Sequence, residues 1–243
     1  MKHSSLPLLD YTIFDDSLAS INYTQKQLIT TINQYSYCIA ENDVDFKKSL
    51  QNSDILLPDG IGIVIAAKLL KKQKIKKIAG ADIHKYLLEE LNIHSGSCMY
   101  LGSSENTLAK IQQRLAIEYP NIKVATYSPP YKSEFSKEDN QKMVAAVNAV
   151  KPDVLFVGMT APKQEKWSKK HEQFLETNTI CAIGAVFDFY AGTVKRPSQF
   201  WIRLKLEWFI RLVKEPKRMW RRYLYYGPFF LYLLLKVMLQ RKK

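Results

Sequence analysis

The sequence predicts an α/β protein: a mainly parallel β-sheet with helices on both faces, extended at its C-terminal end by a basic amphipathic helical appendage. Short apolar runs alternate with segments of helical spacing through residues 1–194, and strands separated by one helix each build βαβ units. Gly, Pro, Ser and Asp gather directly after the apolar runs, where open α/β sheets place their ligand loops. Charge marks off the appendage. Residues 195–243 hold 14 basic and two acidic side chains, a net +12, whereas residues 1–194 hold 22 basic and 21 acidic ones, a net +1. A nearly neutral body, 1–194, therefore carries a cationic tail, 195–243, and such asymmetry points to a polyanionic partner.

In chain order, apolar runs at 37–40, 55–57, 98–101, 122–126, 154–157 and 179–183 are the predicted strands. Helical spacing predicts helices at about 61–72, 82–92, 105–119, 137–150 and 163–176. In the tail, Trp201, Leu204, Trp208 and Leu212 share one helical face, and Arg203, Glu207, Arg211 and Lys214 another. Pro216 opens a second basic helix with Arg218, Arg221 and Arg222. The last apolar run, 223–239, contains Gly227, Pro228 and Lys236, and falls short of the ~20 apolar residues that a spanning helix needs. Two placements fit it: in the headgroup plane of an anionic membrane, or packed on the domain or in a homo-oligomer.

An apolar content of 47% supports a packed core and excludes a disordered chain. The opening MKHSSLPLLDYTIFDD lacks a basic start, an apolar stretch and a small-residue cleavage site, so no secretory signal is expected. Cys38, Cys98 and Cys181 form no Cys-x-x-Cys pair, which suits free buried thiols in a reducing cytosol. His3, His84, His94 and His171 show no ligand spacing, so no metal is expected.

The candidate chemistry lies in the loops after the strands. These are Pro58-Asp59-Gly60, Gly102-Ser103-Ser104, Ser128-Pro129-Pro130-Tyr131, the elbow Pro162-Lys163-Gln164-Glu165, and Gly184-Ala185-Val186-Phe187-Asp188. Small residues let the backbone approach a ligand, and helix N-termini offer N–H groups to phosphate. Asp59, at the tip of a core strand, suits a general base, although a turn-stabilising aspartate would look the same; Asp188 raises the same choice. In the elbow, Pro162 fits a first helical turn, which would leave the backbone N–H groups of Lys163 and Gln164 facing the cleft. Gly60-Ile61-Gly62 breaks the dinucleotide fingerprint at Ile65 and reads as a helix start. Asp43-Val44-Asp45 matches a metal-binding Asp-x-Asp, but its place before Phe46 favours helix capping.

Taken together, these loops resemble the WecG/TagA/CpsF family of bacterial glycosyltransferases. The matching residues are Leu57-Pro58-Asp59-Gly60, Gly80-Ala81-Asp82, Tyr100-Leu101-Gly102, Val157-Gly158, Pro162 to Trp167, Gly184 to Phe189 and Ala191 to Arg196, then Glu207-Trp208, Arg211-Leu212, Glu215-Pro216, Arg218 and Arg221-Arg222-Tyr223. The resemblance spans about residues 35–225. It implies a Rossmann-like fold and transfer of a sugar, of N-acetylmannosamine or another hexose type, from a UDP-sugar to an undecaprenyl-diphosphate-linked acceptor. Transfer would proceed with inversion, without metal or other cofactor, at the cytoplasmic face of the membrane. Asp59 is then the implied base, and Asp82, Gly102, Tyr131, the elbow, Gly184 and Asp188 belong to the substrate pocket. The basic appendage would seat the enzyme on the membrane and bring Arg211, Arg218, Arg221 or Arg222 over the site, and Arg196, which ends the matching Ala191 to Arg196 stretch, joins the substrate-binding candidates. Family members often carry Thr-x-Asn after the first strand; with the first strand read at 37–40, Ala40-Glu41-Asn42 stands there, so only Asn42 would match.

Arginine suits such a site on physical grounds, because its permanent charge and forked donors can stabilise a leaving diphosphate. Three rivals are a basic nucleic-acid-binding protein, an oxidoreductase using a dinucleotide, and a membrane scaffold. The Trp, Phe and terminal apolar content of the tail favours lipid over nucleic acid, and the broken glycine pattern argues against the dinucleotide.

Overall fold

A computed structural model describes residues 3–194, Trp201 and 207–240. Strands β1 (Ser5–Leu8) and β2 (Tyr11–Phe14) form an antiparallel hairpin. The main sheet holds β3 (Gln27–Ile32), β4 (Ile55–Pro58), β5 (Ser97–Gly102), β6 (Lys123–Tyr127), β7 (Val154–Gly158) and β8 (Thr179–Ala182) in the order β4-β3-β8-β7-β5-β6. Every pairing in it is parallel. All six carboxyl ends therefore point to one side of the molecule. The body helices are α1 (Gln34–Ala40), α2 (Val44–Gln51), α3 (Ile61–Lys71), α4 (Gly80–Ile93), α5 (Glu105–Glu118), α6 (Lys137–Val150), α7 (Lys163–His171) and α8 (Gly184–Tyr190).

Side chains alternate across the strands as the pleat requires. Cys98, Tyr100, Val154, Phe156 and Cys181 enter one core with α4, α5 and α8. Met99, Leu101, Leu155, Val157 and Ile180 enter another with α6 and α7. Helices thus cover both faces, as expected, and all three cysteines are free and buried.

The first strand corrects the sequence reading. Residues 37–40 are helical, not extended. Asn33 caps α1 by accepting the N–H groups of Tyr35 and Ser36, both at 3.0 Å, and Tyr37, Cys38 and Ala40 form the helix's buried side. The true strand, β3, is less apolar in sequence because it hides polar groups in pairs. Gln27 Nε2 donates to Thr179 Oγ1 at 3.0 Å, and the Thr30 and Ser53 hydroxyls bond at 2.7 Å. The stretch Gly184 to Asp188, expected as a loop, lies in the short helix α8.

In the tail, α9 (Glu207–Lys214) and α10 (Pro216–Trp220) lead through a π-helical turn (Arg221–Tyr225) into α11 (Tyr226–Gln240). The inner face of α11 packs on the body. Phe230 and Leu234 are buried, Phe230 meets Tyr37 edge-on at 5.5 Å, and Tyr226 meets Tyr35 at 5.1 Å. These side chains join the hairpin, α1, α2 and α3 in a third core. Among the described residues, no helix is long and apolar enough to cross a membrane.

Candidate active site

The loops at the carboxyl ends of the sheet enclose a cavity of about 960 Å³. Asp59 borders it, half-buried at the tip of β4. The Asp59 N–H donates to the Ile32 and Leu57 carbonyls, both at 2.9 Å, and Pro58 O accepts the Ile78 N–H at 3.0 Å. Gly60 follows at φ +155°, and a Cβ there would lie 2.7 Å from Gln34 Oε1 and 2.9 Å from Asn33 Cβ. The ends of β3 and β4 are thereby pressed together, and Thr31, Asn33 and Asp59 share the wall. As expected, the Gly60-Ile61-Gly62 stretch opens a helix.

The elbow is an internal brace. Gln164 and Glu165 are buried. Gln164 Oε1 accepts Met159 N–H at 3.2 Å and Gly184 N–H at 3.0 Å, and its Nε2 donates to Glu165 Oε1 at 2.9 Å. One amide therefore clamps the end of β7 to the start of α8. The other carboxylate oxygen, Glu165 Oε2, has no hydrogen-bond partner among the described residues. Burial pushes the Glu165 carboxyl up to about 7, opposed by the Gln164 bond and the Arg222 charge.

Two expectations for the elbow are corrected. Pro162 sits at the N-cap, one position before the helix, and the Lys163 N–H does not face the cleft, because Thr160 O accepts it at 2.9 Å. The Lys163 ammonium borders the cavity but donates to Lys132 O at 2.6 Å and lies 4.4 Å from the centre of the Phe135 ring. Lys166 points elsewhere, pairing with Asp43 at 2.8 Å. Asp43 also accepts the Phe46 N–H at 3.0 Å, so the Asp-x-Asp acid caps α2, as its position suggested.

Other candidates divide cleanly. Gly102, Tyr131, Gly184 and Asp188 line the cavity. Asp82 does not; it caps α4, accepting Ala79 N–H at 2.8 Å, while Gly80 and Ala81 form the wall. Asn42 is also away from the cavity, its amide donating to Cys38 O at 3.3 Å. The reason is the misread strand. Thr31-Ile32-Asn33, at the end of β3, supplies the Thr-x-Asn pattern, and Thr31 and Asn33 do reach the site. Arg222, from the π-helical turn, reaches the cavity with its guanidinium 4.4 Å from the centre of the Tyr35 ring. Arg221 is exposed and is not part of the wall. Arg196 and the side chains of Arg211 and Arg218 lie outside the described residues. Ser36 and Asn106 also line the cavity, with no motif in the sequence to mark them, as does Phe189, the last residue of the matching stretch from Gly184.

Removing the clamp has a definite expected outcome. Gln164→Ala leaves two backbone N–H groups without an acceptor and should cost about 1–3 kcal/mol of stability. The denaturation midpoint measures it; an unchanged midpoint would mean that water replaces the amide at no cost.

The match to the family model for the glycosyl transferase WecG/TagA/CpsF family covers residues 9–243. A Bacillus subtilis (strain 168) protein named N-acetylglucosaminyldiphosphoundecaprenol N-acetyl-beta-D-mannosaminyltransferase is 33% identical over 215 residues, covering 88% of this chain and 82% of its own. A Bacillus spizizenii protein of the same name is 32% identical over 179 residues, covering 74% and 67%. The Staphylococcus aureus (strain MW2) protein so named is 27% identical over 220 residues, covering 90% and 84%. A match that runs from the hairpin through the terminal helix, with relatives this similar, means that the chain belongs to the WecG/TagA/CpsF family and is a glycosyltransferase.

Proposed function

We propose that the enzyme transfers N-acetylmannosamine from its UDP-sugar to the N-acetylglucosamine of an undecaprenyl-diphosphate-linked acceptor, in the synthesis of a cell-surface polymer such as teichoic acid. The observation that carries this reading is that Asp59, from the body, and Arg222, from the tail, both stand on the wall of one cavity. An acceptor hydroxyl attacks the anomeric carbon as the bond to the UDP oxygen breaks on the opposite face, which inverts that centre. Asp59 takes the hydroxyl proton. The Arg222 guanidinium meets the charge that develops on the departing diphosphate, so no metal is required. The names of the relatives support the choice of sugars. The appendage, 195–243, associates with the inner face of the membrane.

The test is UDP release over a panel of UDP-sugars, with a lipid-diphosphate N-acetylglucosamine acceptor and a chelator present. Release that requires both UDP-N-acetylmannosamine and acceptor is expected. Release with another donor alone would replace the sugar, and a strict need for added divalent metal would overturn the arginine-only account of the leaving group.

A further inference from the structure

Six of the ten residues 68–77 are lysines: Lys68, Lys71, Lys72, Lys74, Lys76 and Lys77. The sugar-transfer chemistry uses none of them. They stand on the last turn of α3 and in the linker to α4, all exposed. Among the described residues, Lys68, Lys71, Lys72, Lys74 and Lys76 are paired with no carboxylate. Asp15 reaches this stretch but is engaged by Gln73, whose Nε2 donates to it at 2.6 Å. So dense a block of one sign calls for an anionic counterpart.

Apolar side chains accompany the charge. On α3, Ile65 is 41% and Leu69 49% exposed, one helical turn apart. The same helix packs against α11, with Gly62 lying against the Phe230 ring. On its outer side α11 leaves Leu231, Tyr232, Leu235 and Leu239 exposed, and Lys236 with them. A helix of the body and a helix of the tail thus both turn apolar residues and lysines outward.

We infer that α3, the linker after it and the outer face of α11 form one docking platform for an anionic lipid bilayer, to which the body contributes as much as the appendage. The inference rests on the membrane-borne acceptor proposed above. Lysines would sit on the headgroups, with Ile65, Leu69 and the α11 leucines at the acyl boundary. That mixture fits lipid better than nucleic acid, where phosphate contacts dominate and exposed leucines have no place. The placement also serves the chemistry. The helix α3 is about 16 Å long, begins right after Asp59 and Gly60, and its linker returns to Ala79 and Gly80 in the cavity wall. With α3 lying along the headgroups, Asp59 stands where a lipid diphosphate leaves the membrane.

The experiment compares the full-length protein with two variants, one carrying Lys68→Gln, Lys71→Gln, Lys74→Gln and Lys76→Gln, the other Leu231→Ser and Leu235→Ser. Co-sedimentation is measured with phosphatidylcholine vesicles, with and without phosphatidylglycerol, retention with duplex DNA, and turnover with a detergent-soluble acceptor. The lysine variant should lose at least about tenfold in partition onto the anionic vesicles while keeping its turnover in detergent. Parental binding by the lysine variant, with loss confined to the tail variant, would overturn the platform and leave membrane association by the appendage standing. Failure of the parent itself to bind vesicles, with turnover intact, would overturn the platform without touching the sugar-transfer reading. Loss of duplex DNA retention by the lysine variant, with vesicle binding unchanged, would also overturn it and make nucleic acid the partner.

Discussion

Asp59→Asn is expected to lower turnover by roughly 10²–10⁴-fold, the usual contribution of a general base, with UDP-sugar affinity little changed. The substitution keeps the side chain's size, and the backbone that fixes it is held independently. The Asp59 N–H is bonded to the Ile32 and Leu57 carbonyls, and the next residue, Gly60, lies close against Asn33 and Gln34. The change therefore removes proton acceptance and leaves the wall standing. Initial rates with the lipid-linked acceptor, set beside calorimetric UDP-sugar binding, separate the two effects. Turnover near that of the parent would remove Asp59 from the role and leave it a turn residue. Loss of donor binding equal to the loss of rate would make it a binding residue.

Arg222→Ala is expected to lower turnover by about 10²–10³-fold, the scale on which one electrostatic contact to a developing anion acts. Arg222→Lys should recover only part of this, since an ammonium lacks the planar fork and its stacking on Tyr35. A second readout does not depend on activity. Burial pushes Glu165 up to about 7 from an ordinary 4.5, and Arg222 pulls it down. Its folded value thus lies above its unfolded one, so the stability it contributes is fully present below about 4.5 and is lost as pH rises towards about 7. Without Arg222 the folded value climbs, and the loss should extend to higher pH. Denaturation midpoints across that range test it. An unshifted profile would mean that Arg222 does not act on the buried carboxyl, and unchanged turnover in Arg222→Ala would remove it from the leaving-group role.

Much of the fold was legible because its period was. The helices over 61–72, 105–119 and 137–150 lie within a residue of α3, α5 and α6. Strands β4, β5, β7 and β8 were legible as largely apolar runs, as strands covered on both faces are. The first strand was not, because a buried strand that satisfies its polar groups by pairing across the sheet looks half-polar in sequence. The run at 37–40 looked like a strand because a short apolar run has no length from which to tell helix from strand. That single error carried Asn42 into the candidate site in place of Asn33. Asp82 lies off the cavity wall for a different reason: a capping aspartate and a ligand-binding one share the same position at a helix start, and here the carboxylate accepts the Ala79 N–H. For the tail, charge and periodicity revealed the arginines, but contact with Tyr35 singles out Arg222, and no spacing rule encodes that.

The glycines at the strand ends carry one more consequence. A Cβ on Gly102 would lie 2.1 Å from Gly158 O, one on Gly158 2.4 Å from the Phe187 ring, and one on Gly184 2.2 Å from Met159 O. At these three positions the lining is main chain with no room for a side chain, so none of the three can be replaced without shifting the ends of β5 and β7 or the start of α8. Divergence towards a new sugar is therefore channelled to the rim, where Tyr131, Asn106 and Phe189 can change size and polarity while the foundation stays fixed.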